Sequence, residues 1–114
     1  MLHKRLAVLL FNQLCKRSEP YAIHNRWIAI EFDYFPTPVY LCRTSQGNTI
    51  MGTPRHTDVT LGASYRGVLS MLQSECDADG LFFQRQFYYH GDTELGLALK
   101  TWLSDLSYQL FDRH

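Results

Sequence analysis

The sequence has no excess charge of either sign: 11 basic residues balance 11 acidic ones across 114 positions. This argues against a nucleic-acid-binding protein, which needs a dense basic face to neutralise phosphates. Cysteine is scarce. Cys15, Cys42 and Cys76 are odd in number and no two form a C-x-x-C pair. A disulfide framework is therefore not expected, and small buried thiols in a reducing compartment fit better. Long apolar runs are also missing. The unbroken run at the N-terminus, Leu6 to Phe11, is six residues long, and polar Asn12 and Gln13 follow it. A transmembrane helix needs about 20 apolar residues, and a secretory signal needs a longer apolar centre than this run and a small-residue cleavage site. A cytoplasmic protein is expected.

Catalytic motifs are equally absent. No G-x-S-x-G, H-E-x-x-H or G-x-G-x-x-G occurs. The histidines are His3, His24, His56, His90 and His114. Of these, His56 and His90 each lie two residues before a carboxylate, Asp58 and Asp92. His56 and Asp58 at i, i+2 on a strand share a face, which makes them the one candidate pair for a metal or hydrolytic site. Cys76 lies in an acidic stretch that does not favour a thiolate. No cofactor is implied and no enzyme is expected.

Apolar and aromatic side chains are plentiful. The chain is 46% hydrophobic and 19% charged, with seven Phe, seven Tyr and two Trp. That composition is globular, and the length suits one domain over residues 1–114. A surplus of large rings points to a thick core or a lined cavity.

Leu2, Leu6, Leu9, Leu10 and Leu14 recur at helical spacing, so residues 2–17 read as an amphipathic helix. Lys4, Arg5, Lys16 and Arg17 flank the stripe. Such a helix either packs on the domain or lies on lipid headgroups. Strands are expected at 26–33, 39–43, 49–52, 57–62 and 85–90. In the first, Ile28, Ile30 and Phe32 share a face. Ser64 reads as the N-cap of a helix running to about Glu75. Asp77, Asp79 and Gly80 read as a loop, followed by an apolar plug of Leu81, Phe82 and Phe83. Asp92 reads as the cap of a last helix carrying Leu95, Leu99, Trp102, Leu103, Leu106 and Leu110. Gly96 within that helix is either tolerated or marks a close approach. The order gives an α+β fold, a five-stranded, mainly antiparallel sheet covered by helices.

The wording of two segments resembles the sterol carrier protein type 2 family. They are Thr57 to Leu72 (TDVTLGASYRGVLSML) and Leu81 to Lys100 (LFFQRQFYYHGDTELGLALK). Within it, LFFQR, GDTELGL and Asn25 to Ile28 look most like a bacterial accessory factor of oxygen-independent ubiquinone biosynthesis. The resemblance covers residues 26–106 and implies an apolar tunnel, or an apolar core, between sheet and helices. It implies a carrier of isoprenoid quinone precursors or phospholipid that serves ubiquinone-biosynthesis enzymes, iron–sulfur hydroxylases among them, with transient membrane contact. Lipid-binding residues on this reading are Leu69, Leu72, Phe82, Phe83, Phe87, Leu95, Leu99, Trp102, Leu103 and Leu106. A helix stripe is as readily core as ligand wall, so the alternative is a protein-interaction subunit with a filled core.

Overall fold

The structure, a computed structural model, describes residues 2–73 and 78–111. It opens with helix α1 (Leu2–Arg17) and a 3₁₀ turn (Tyr21–Ile23). Strands β1 (Trp27–Phe32), β2 (Val39–Arg43), β3 (Thr49–Met51) and β4 (Val59–Ala63) follow. Helices α2 (Tyr65–Leu72) and α3 (Ala78–Phe83), strand β5 (Phe87–Gly91) and helix α4 (Thr93–Phe111) complete it. The sheet order is β3-β2-β1-β4-β5, so the fold is α+β with five strands. Every neighbouring pair is antiparallel except the central one, where β1 runs parallel to β4.

Local chemistry sets the element ends. The Ser64 hydroxyl accepts the Gly67 N–H at 2.9 Å and caps α2. The Asp92 carboxylate does the same for Leu95 at 2.9 Å at the start of α4. Gly91 ends β5 at φ 110°, and a side chain there would strike the Asp58 carbonyl of the adjoining strand entry. Thr44 and Asn48 close the β2–β3 turn around Gly47.

Residues paired across the sheet share a face, which puts Ile28, Leu41 and Val59 together in one row. All three are buried and belong to one apolar cluster with residues of α1 and α4. This inner face is the covered one. On the outer face the Tyr88 ring lies across Gly62 of β4 and its hydroxyl donates to Glu31 of β1 at 2.7 Å. Ala29 of β1, on the outer face, is buried too, while Trp27 and Glu31 beside it are half-buried.

Several sequence expectations are corrected here. Asp79 and Gly80 lie within α3, not in a loop; Asp77 lies outside the described residues. Helix α2 ends at Leu72, with Gln73 as its C-cap, short of Glu75, which is also outside them. Strand β5 starts at Phe87 because Arg85 sits in a turn at φ 61°. Strand β4 starts at Val59, so His56 precedes the sheet.

Candidate functional site

Helix α4 lies over the sheet because its apolar residues recur every three or four positions. Leu95, Leu99, Trp102, Leu103 and Leu106 are all buried, and Leu99 is fully so. They meet Leu81 of α3, Phe87 of β5 and Phe11 of α1 in the same cluster. Phe11 and Trp102 pack edge to face with ring centroids 5.5 Å apart. The Trp102 indole N–H donates to the Ser18 carbonyl at 2.8 Å, which satisfies its polar atom at the border of the apolar zone. Phe82 is half-buried. Its ring stands edge-on to Phe87 and Tyr89, at 5.6 and 6.0 Å.

Seven of the residues expected to bind lipid thus converge on one apolar layer: Phe82, Phe87, Leu95, Leu99, Trp102, Leu103 and Leu106. Leu69 stands apart. It is 37% exposed on α2, whose Val68 and Met71 turn towards the core instead. The side chains of Leu72, Phe83 and Leu110 lie outside those described. Gly96 marks a close approach: a Cβ there would run into the Tyr89 ring.

Helix α1 faces this layer differently from its leucine pattern. Ala7, Phe11 and Cys15 are the buried positions. Leu6, Leu9 and Leu10 point outwards at 48%, 59% and 55% exposure. Arg5, Lys16 and Arg17 are also exposed, and the helix contains no acidic residue. Among the described residues, no helix is long and apolar enough to cross a membrane.

A polar cluster borders the layer, and the sequence reading missed it. Arg43 on β2 is buried on the inner face. Its guanidinium donates to both Glu19 oxygens at 2.8 and 2.6 Å, to Asn12 at 3.2 Å and to Thr49 at 3.0 Å. His24 Nε2–H donates to Glu19 at 2.8 Å. The hydrogen bonds from Arg43 hold the Glu19 carboxyl down to about 2. Burial pushes the nearby Cys15 thiol up to about 11, so it is a packing group and not a nucleophile. The missed signal was an arginine at an inward-facing strand position, which requires a buried partner.

His56 and Asp58 do not form a reactive pair. The Asp58 carboxylate accepts the Trp27 N–H at 2.7 Å and meets Arg26 at 3.3 Å, while His56 is exposed. Among the described residues, no group of three or more His, Cys, Asp or Glu is placed to hold a metal. Cys76 lies outside those residues.

Comparison with known proteins fits this geometry. Residues 11–104 match the model of the SCP-2 sterol transfer family. The ubiquinone biosynthesis accessory factor UbiT of Escherichia coli K12 is 30% identical over 95 residues. That match covers 79% of this chain and 51% of UbiT, so the chain spans about half the length of the curated relative. A solved structure, the UbiJ-SCP2 ubiquinone synthesis protein, superposes with a TM-score of 0.64 at 17% identity, over 99% of this chain and 95% of that one. Sterol carrier protein domain 2 of Helicoverpa armigera gives 0.56 at 18% identity, over 95% and 87%. At such identities these two show a shared fold. With the matched family model and the fold in agreement, the chain belongs to the SCP-2 sterol transfer family.

Proposed function

We propose that this domain is a non-catalytic carrier that binds an apolar lipid and assists ubiquinone biosynthesis by the oxygen-independent route. Its ligand is an isoprenoid quinone precursor, with phospholipid as the second class. It presents that ligand to cytoplasmic head-group-modifying enzymes, iron–sulfur hydroxylases among them. The observation that carries this reading is the apolar layer between α4 and the sheet, in a chain of the SCP-2 family. The likeness to UbiT supports the pathway.

The physical need is clear. A polyprenyl tail in water costs about 0.8 kcal/mol for each exposed CH₂. A domain that shields the tail and leaves the head accessible removes that cost for soluble enzymes. The site needs apolar walls and few polar groups, and the α4 layer supplies them. Two of the engaged carboxylates, Glu19 and Asp58, serve Arg43, Arg26 and a backbone N–H group. They support the fold.

The ligand must also enter and leave a bilayer. The outward leucines of α1, with basic residues at both ends and no acid between, suit transient contact with an anionic membrane.

A protein-interaction subunit with a filled core is the second reading. The close packing of Phe11, Leu99 and Trp102 favours it. Organic extraction of the purified protein, followed by mass spectrometry, separates the two. A carrier yields a defined lipid and binds quinone precursors in titration. Repeated lipid-free preparations that also bind no precursor overturn the carrier reading.

A further inference from the structure

A cleft of about 370 Å³ opens where β1 and β4 end and β5 begins, away from the buried α4 layer. None of the residues expected from sequence to bind lipid lines it. Its apolar walls include Phe32, Phe35, Pro36 and Pro38. Its polar rim includes Glu31, Asp33, Thr37, Arg85, Gln86 and Tyr88, with Ser64 beside Gln86.

Most of that rim is already engaged. Both Asp33 oxygens accept the Tyr65 N–H, at 2.9 and 3.1 Å. Ser64 and Gln86 bond to each other. Glu31 Oε1 accepts the Tyr88 hydroxyl at 2.7 Å, and that bond raises the pKa of the phenol. Of the charged side chains lining the cleft, two groups remain open: Glu31 Oε2 as an acceptor and the Arg85 guanidinium as a donor.

The cleft also borders the core. Phe35 and Ala63 line it and pack against the core cluster as well. The cleft volume is at the small end of ligand pockets. It suits a substituted ring and is too small for a long tail, which must lie outside it.

We infer that this cleft seats the hydroxylated aromatic head group of a prenylated phenol, a reading that rests on the carrier function proposed above. The phenolic hydroxyl donates to Glu31 Oε2 and its oxygen accepts from Arg85, with the phenylalanine and proline walls flanking the ring. A dianionic phosphate fits less well, because Glu31 and Asp33 place two carboxylates against one guanidinium.

The test uses the full chain and calorimetric titration with three probes: ortho-geranylphenol, geraniol (the tail with no ring) and oleoyl lysophosphatidic acid. Arg85→Gly removes the guanidinium and relieves a backbone held at φ 61°, so it spares the fold. It should weaken the phenol probe about tenfold, the loss of one hydrogen bond from a charged donor, and leave geraniol unchanged. Glu31→Gln keeps an oxygen for Tyr88 and should weaken the phenol probe severalfold. If both variants bind the phenol as the wild type does, while both tail-bearing probes bind, the head-group site is overturned and the carrier stands. If only lysophosphatidic acid responds to Arg85→Gly, the cleft reads phosphate and the inference fails. If the wild type binds none of the probes, both readings fall.

Discussion

Gly96→Ala sets two effects against each other inside α4. On propensity alone, alanine stabilises a helix interior over glycine by about 1 kcal/mol. The tertiary contact opposes this. A methyl carbon at position 96 would sit 2.9 Å from Cγ of Tyr89 and nearer still to Cδ1 and Cε1, where ordinary contact is 3.4–4 Å. Cγ is the root of the side chain, so moving the ring tip does not relieve the clash. The ring is also held edge-on to Phe82, 6.0 Å between centroids. Either Tyr89 leaves its rotamer or α4 lifts from β5. Overpacking of this kind costs about 1–3 kcal/mol. The expected balance is a net loss of about 1 kcal/mol, or a Tm lower by about 5 °C for a domain of this size. Urea unfolding followed by circular dichroism should be run on Gly96→Ala, Tyr89→Ala and the double variant. Once Tyr89 is removed, the same alanine should become neutral or stabilising. A Tm that rises in Gly96→Ala alone refutes the reasoning.

Arg43→Met leaves the half-buried Glu19 with only His24 as a side-chain partner and should destabilise by about 2 kcal/mol. Adding Glu19→Gln should recover much of that loss in denaturant titration. The Glu19 carboxyl is lowered on folding, from 4.5 to about 2, so its stabilisation is complete above pH 4.5 and fades as pH falls towards about 2. That shift is worth about 3 kcal/mol at most, and unfolding measured across the window should show a slope that Glu19→Gln flattens. Leu9→Glu with Leu10→Glu should leave stability unchanged and cut cosedimentation with anionic vesicles by about tenfold.

The capped and strongly periodic segments were legible in the sequence. Ser64 and Asp92 are short polar side chains directly before apolar runs, and both prove to be N-caps. The α4 stripe is buried as its spacing requires. What stayed hidden depends on contacts distant in sequence. The parallel pairing of β1 with β4 joins Ile28 to Val59 across an intervening hairpin, and no local pattern encodes it. Arg43 reads as a strand terminus until Glu19 and Asn12 of preceding segments come to meet it. The cleft combines ends of three strands, and its open donor, Arg85, owes its place to a turn that periodicity reads as strand.

The two apolar helices show why the same signal divided at the site. Both α1 and α4 present leucines every three or four residues, and amphipathicity says only that such a face avoids water. In α4 the stripe coincides with the face that meets the sheet, because Gly96 lets β5 come close and Trp102 ties the helix to Ser18. In α1 the sheet-facing positions are Ala7, Phe11 and Cys15, which put a single large ring between two small side chains. That combination brings α1 in against Trp102, with Val8 and Leu14 packing at its edges, and it turns Leu6, Leu9 and Leu10 outwards. An apolar face left in water costs free energy that a lipid surface returns. The basic ends of α1, on a chain of zero net charge, are the charge pattern that the membrane contact proposed above requires.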